Sequence, residues 1–250
     1  MEKSKVGEFH FVTESYLLDF RRRITIPMIG TYLLHAASIH AAQRGFGFSD
    51  MNNRHTAWVL SRLVIEMTEY PGMSEEITLY TWIEDAARLF TNRCFELVNA
   101  AGKSFGFARS VWAAIDVETR RPTPLDVEAL DVFKVDRPCP IEKPGKIIPV
   151  ENDTPGEPYG IKYSDLDVNG HLNSIKYMEH LLDMFDIRMY EEKQIRRFEI
   201  AYLSEGRYGM PLALHVSETS PDKYSMAICN EGKAISRAAV TWTATPSNLL

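Results

Sequence analysis

Residues 165–173, DLDVNGHLN, pack two carboxylates, two side-chain amides and one imidazole into nine positions. In an extended stretch, residues i, i+2 and i+4 point to one side, which would gather Asp167, Asn169 and His171. A carboxylate, an amide and an imidazole so grouped can hold a water and take its proton. Gly170 favours a turn in the same stretch. Asn173 fits the N-cap of a following helix, whose first N–H groups can polarise a carbonyl oxygen. The same residue types also read as a turn and a cap and nothing more, so the pattern alone leaves both readings open. Asp165 reads as a solvated loop carboxylate. His180 and His215 read as surface or packing residues. His35 and His40 read as packing residues that are also able to line a pocket.

The elements around this stretch follow from periodicity. From Asn173, the residues Ile175, Met178, Leu181, Leu182, Phe185 and Met189 recur every three or four positions, which predicts an amphipathic helix. Strand patterns follow at 196–203, 211–218, 223–230 and 234–244, with a turn at Asn230–Gly232. The first half repeats the plan. A helix over 27–44 places Met28, Tyr32, Leu33, Ala36 and His40 at helical spacing, and Gly45 stops it. Strands follow at 77–83, 89–98 and 107–115; in the first of them Ile77, Leu79 and Ile83 share one face, Tyr80 and Trp82 the other. RLVIE at 62–66 echoes RFEI at 197–200, and RSVW at 109–112 echoes RAAVTW at 237–242. Each half is therefore α+β, a long helix wrapped by an antiparallel sheet on which its apolar stripe is buried. Eight of the 13 prolines lie between Pro122 and Pro158, so 126–157 reads as a proline-rich linker between domains 1–125 and 158–250. The stretch matched in the first half to the polar motif is 24–31, ITIPMIGT, without Asp, Asn or His. The first half is then free to hold something apolar, and Met28, Tyr32, Trp58, Leu60 and Met67 suit that.

Composition narrows the classes. With 250 residues, 45% hydrophobic and 25% charged, the chain has ordinary globular usage, not that of a disordered or fibrous one. A formal charge of −6 excludes a dedicated nucleic-acid binder. Cys94, Cys139 and Cys229 are too scattered for a disulfide framework or a zinc site, so no metal or cofactor is expected and a reducing compartment is. No apolar run approaches the ~20 residues of a membrane span. The opening MEKSKVGEFH lacks the apolar core of a secretory signal.

The sequence resembles the plant-type acyl-acyl carrier protein thioesterases and their bacterial relatives. The resemblance is carried by DLDVNGHLNSIKY at 165–177, WVLSRLVIEMTEYP at 58–71, RSVWAAIDVETRR at 109–121 and YLSE at 202–205, and spans nearly the whole chain. It implies a tandem (double) hotdog fold, with the N-terminal hotdog shaping the acyl pocket. It also implies hydrolysis of fatty acyl-acyl carrier protein, releasing free fatty acid and ending chain elongation. The family's polar residues map onto Asp167, Asn169, His171 and Glu205. Plant members carry a cysteine directly after that glutamate; Gly206 stands there, so a cysteine nucleophile is not expected. Without a long transit-like extension, a bacterial, cytoplasmic member is expected.

On this resemblance Asp167 or Glu205, or both with Asn169, activate a water, while His171 and the helix start at Asn173 stabilise the oxyanion; direct attack by Asp167 is the other route. Met28, Tyr32, Trp58 and Met67 are the candidate acyl contacts. Acyl carrier proteins are acidic, so docking calls for a basic patch; Arg21, Arg22, Arg23, Arg196 and Arg197 are the best candidates, ahead of Arg120, Arg121, Lys143 and Lys146. Monomer and homodimer both stay open. The other readings are an acyl-CoA thioesterase, which would need a phosphate site, a non-catalytic acyl-binding protein, and a hotdog dehydratase.

Overall fold

The computed structural model describes residues 4–150 and 156–245, so part of the expected linker, 151–155, lies outside the described residues. Two units divide the chain, Met1–Pro144 and Gly145–Leu250.

In the first unit, β1 (Gly7–Val12) precedes α1 (Ile26–Ala42), a short α2 (Phe48–Asn53), then β2 (Thr56–Met67), β3 (Glu76–Ala86), β4 (Thr91–Asn99) and β5 (Ser104–Asp116), and finally α3 (Val127–Asp131). The sheet order is β1-β3-β4-β5-β2, every pairing antiparallel. Thr25 caps α1 by accepting the Met28 N–H at 3.3 Å, and Pro27 occupies the first turn, where a missing N–H costs nothing. Ile29, Leu33 and Ala36 are wholly buried, each large side chain contributing roughly 1.5–3 kcal/mol.

The expected linker is only partly one. Cys139 and Ile141 are buried with Val64, Trp82 and Cys94, while Val135 packs against the same group. Residues 135–141 thus form a strap across the outer face of the sheet. Prolines suit a strap that offers carbonyls and needs few donors. Trp82 Nε1 donates to Arg137 O at 3.1 Å, and Arg109 donates to Cys139 O at 2.8 Å and Ile141 O at 3.0 Å.

The second unit runs β6 (Glu157–Gly160), α4 (Ser174–Leu182), α5 (Ile187–Glu192), β7 (Lys193–Tyr202), β8 (Pro211–Ser220), β9 (Lys223–Asn230) and β10 (Lys233–Ala244). Its order β6-β8-β9-β10-β7 repeats the first unit strand for strand. The echoed segments fall on matching strands, β2 with β7 and β5 with β10. The single helix expected through Met189 is two. Asp186 is extended and its side chain accepts the Arg188 N–H at 2.8 Å, which starts α5 afresh. Phe185 leaves the helical stripe and meets Tyr224 and Trp242 edge-on, centroids 5.1 and 5.2 Å away.

Candidate active site

Before α4 the chain is not extended but folded into a tight hairpin, closed by pairing of Leu166 with Leu172. The Gly170 N–H donates to Asp167 O at 3.0 Å and the Asp167 N–H to His171 O at 2.8 Å. Gly170 has φ +74, the left-handed conformation glycine adopts without penalty. Asp167 Oδ1 accepts two backbone N–H groups, those of Asn169 at 2.8 Å and His171 at 3.0 Å. Asn169 is exposed on this turn and His171 half-buried.

The loop after β7 is drawn to this hairpin. The Leu172 N–H donates to Gly206 O at 2.8 Å, and His171 pairs with Arg207 as an isolated bridge. His171 Nε2 then lies 3.2 Å from Glu205 Oε2, and Arg207 Nη2 lies 3.2 Å from the same oxygen. An imidazole, a carboxylate and a guanidinium meet at one edge of the molecule's second unit. A Cβ at Gly206 would come within 3.0 Å of Leu172 Cβ, so any side chain there must push its neighbours aside.

Two tyrosines fix that loop to the helix. The Tyr177 hydroxyl accepts the buried Gly206 N–H at 2.7 Å and donates to Ser204 O at 3.2 Å. Tyr202 donates to Ser174 O at 2.9 Å, and the two rings meet edge-on, 5.5 Å apart. Burial pushes the Tyr177 hydroxyl up to about 12, so it works as a neutral donor and acceptor. Sequence reasoning gave Tyr177 only as part of a signature; its partners lie 27 and 29 residues downstream. Tyr177→Phe is expected to cost about 1–3 kcal/mol, because a buried N–H loses its partner. Turnover should fall by up to ~10²-fold through misplacement of Glu205. Steady-state kinetics and urea unfolding check this, and unchanged values in both would remove Tyr177 from the loop's support.

Asp165 differs most from expectation. It is 3% exposed, and its carboxylate accepts from the Tyr159 hydroxyl, from Lys162 N at 2.7 Å and from His180 Nε2 at 3.1 Å. Burial alone would raise its pKa. The Tyr159 hydroxyl, the Lys162 N–H and His180 outweigh burial and hold the carboxyl below the usual range. His180 is thus the partner of a buried acid, not a surface residue. Asn173 is the N-cap of α4, accepting the Ile175 N–H at 2.8 Å. Its carbonyl takes the N–H groups of Lys176 at 2.9 Å and Tyr177 at 3.2 Å. Those three N–H groups, expected to face a carbonyl, are therefore already engaged.

The first-unit candidates are placed as follows. Met67 and Tyr32 are buried and Met28 half-buried; Tyr32 stacks on Phe11 at 4.1 Å. Trp58 donates to Phe46 O at 2.8 Å. His40 is wholly buried, and burial beside Arg93 and Arg44 takes it down to about 3. Its Nδ1 accepts from Arg93 at 3.0 Å, so Nε2 donates to Lys5 O at 3.2 Å. Among the docking candidates Arg22 is exposed, and Arg21 and Arg196 are half-buried. Arg23 is 8% exposed, too deep to present charge to a partner, and Arg197 is turned onto Glu199 at 2.9 Å. Among the described residues no three of His, Cys, Asp and Glu cluster as metal ligands do, and no helix is long and apolar enough to cross a membrane.

The stretch equivalent to the motif is not 24–31, as the content of the sequence suggests, but 18–25. Leu18 pairs with Ile24 as Leu166 does with Leu172, and Thr25 caps its helix as Asn173 does. This stretch contains an aspartate, Asp19.

Comparison with known proteins agrees with the geometry. Residues 5–133 match the acyl-ACP thioesterase N-terminal domain and 151–244 the C-terminal domain. Oleoyl-acyl carrier protein thioesterase 2 of Arabidopsis thaliana, a chloroplastic protein, is 28% identical over 216 residues, 78% of this chain and 58% of that one. The chain thus spans a little over half the length of this curated relative. The crystal structure of an acyl-ACP thioesterase from Bacteroides thetaiotaomicron superposes with a TM-score of 0.90 at 42% identity, covering 96% of this chain and 98% of that one. The 12:0-ACP thioesterase of Umbellularia californica, at 20% identity and a TM-score of 0.88 over 98% and 100% of the two chains, shares the fold. The double hotdog and the polar hairpin therefore have one explanation: the chain belongs to the acyl-ACP thioesterase family.

Proposed function

We propose that the protein hydrolyses the thioester of fatty acyl-acyl carrier protein, releasing free fatty acid and ending chain elongation. The observation that carries this reading is the 3.2 Å contact between His171 Nε2 and Glu205 Oε2, which joins two family segments 34 residues apart into one polar pair. Glu205 takes a proton from water, and the hydroxide attacks the acyl carbon. The C–S bond then breaks, and the proton returns to the departing thiolate of phosphopantetheine. His171 and the side-chain amide of Asn169 stabilise the oxyanion. No cysteine takes part: Cys94, Cys139 and Cys229 are all buried thiols. That they stay unpaired fits a cytoplasmic enzyme.

The first unit, Met1–Pro144, holds the acyl chain, with Met28, Tyr32, Trp58 and Met67 as its contacts. The acidic carrier docks on Arg21 and Arg22, where Phe20 (56% exposed) and Tyr16 (81% exposed) add an apolar surface. Purified protein should release fatty acid from acyl carrier protein thioesters faster than from matched acyl-CoA thioesters across a series of chain lengths. Equal or faster CoA hydrolysis would assign it instead as an acyl-CoA thioesterase, and no hydrolysis of either as an acyl-binding protein.

A further inference from the structure

The two units carry the same hairpin before their helices, bond for bond. In the first, the Asp19 N–H donates to Arg23 O at 2.9 Å and the Arg22 N–H to Asp19 O at 2.9 Å; in the second, Asp167 bonds His171 O at 2.8 Å and Gly170 bonds Asp167 O at 3.0 Å. Asp19 Oδ1 accepts the N–H groups of Arg21 at 2.9 Å and Arg23 at 3.0 Å, as Asp167 Oδ1 accepts those of Asn169 and His171 at 2.8 and 3.0 Å. Arg22 has φ +60 and Gly170 φ +74. The strand-loop contact repeats too: Ile24 N to Pro71 O at 3.0 Å, Leu172 N to Gly206 O at 2.8 Å.

What differs is the side-chain chemistry. Arg21 and Arg23 stand where Asn169 and His171 stand, and Tyr70, the residue before Pro71, stands where Glu205 precedes Gly206. Of the polar side chains the aspartate alone is common to both hairpins, and in the first arginines and a tyrosine replace the imidazole and the carboxylate beside it. An aspartate whose carboxylate oxygen satisfies two turn N–H groups does the same work in both places.

We infer that Asp167 is a positioning residue: through Oδ1 it fixes the turn that aims Asn169 and His171, and it neither takes the water's proton nor bonds the acyl carbon. This rests on the thioesterase reading above and narrows it, leaving Glu205 as the base. The amide oxygen of asparagine accepts the same two N–H groups but cannot act as a base.

The test compares Asp167→Asn and Asp167→Ala on acyl carrier protein thioesters. Asp167→Asn should keep kcat within about threefold of wild type and keep the wild-type pH profile. Asp167→Ala, with the turn released, should lose about 10²-fold in kcat. An asparagine variant as inactive as the alanine one overturns the inference, as does heavy oxygen found in the Asp167 carboxylate after single turnover in labelled water. A wild-type protein inactive on every carrier thioester defeats the thioesterase reading instead, so the two failures are distinct. Thermal melting gives a readout free of catalysis. Asp19→Ala and Asp167→Ala should each lower the Tm by several degrees, and the Asn variants should restore it in both hairpins. A Tm unchanged in Asp167→Ala but lowered in Asp19→Ala also overturns the inference.

Discussion

Glu205→Gln is expected to lower kcat by about 10²- to 10⁴-fold, the usual scale of a lost general base. The amide keeps an oxygen for His171 Nε2 and Arg207 Nη2, each 3.2 Å from Oε2 in the native protein, so the loop should stay in place. KM and Tm should therefore stay near their native values, and the loss should fall on the chemical step. In free-energy terms the effect is about 3–5 kcal/mol of transition-state stabilisation. Steady-state kinetics with carrier thioesters, beside a melting curve, measures both. A variant within threefold of native turnover would take the proton-transfer role away from Glu205.

The second large effect is on stability. The set Tyr159–Asp165–His180, centred on a buried carboxylate, has an uncharged counterpart in the first unit. Tyr159 rests on His180 with centroids 4.2 Å apart, as Phe11 rests on Tyr32 at 4.1 Å. Leu17, the last residue of the short 3-10 turn before α1 and 7% exposed, stands where Asp165 ends the turn before α4. Asp165→Ala should cost about 3 kcal/mol, because the half-buried Tyr159 hydroxyl and His180 and the Lys162 N–H all lose their acceptor. Replacing the whole set by its counterpart, Asp165→Leu with Tyr159→Phe and His180→Tyr, should cost less than that single change. Urea midpoints of the two variants decide it, and a triple variant weaker than the single one would show that the sites are not equivalent.

The pH dependence follows from the same carboxyl. Its folded pKa lies below the ordinary value of 3.8, so the folded state favours the ionised form. The stability it contributes is complete above about pH 4, the range of an unfolded aspartate. That contribution is lost as pH falls through the lower, folded value. Asp165→Asn should remove this part of the acid-side slope and leave the part that sets in below about pH 6.5, where the buried, neutral His40 resists protonation.

The sequence made α1 and the strands β3 to β5 and β7 to β10 readable, because alternation and a three-to-four spacing are local signals; β1, β2 and β6 were not among the expected strands. It also made readable which residues of the hairpin before α4 are polar. What it hid was non-local or backbone-borne. The hairpin at 18–24 went unrecognised because Arg22 takes a positive φ where a glycine would have marked the turn. Asp165 looked solvated because its partners, Tyr159 and His180, lie six and 15 residues away on a strand and a helix. The break at Asp186 was masked by apolar residues that kept helical spacing across a cap. Arg23 read as surface charge because nothing in a run of three arginines shows which one points inward.

The strap over the outer face of the first sheet decides where this gene can be divided. A fragment ending at residue 125 would leave Trp82 and Cys94, both fully covered in the intact chain, facing water, and Arg109 would keep Glu84 but lose the carbonyls of Cys139 and Ile141. Such a product invites aggregation. Swapping first units between relatives should therefore cut beyond Pro144, so that each donor sheet travels with its own cover.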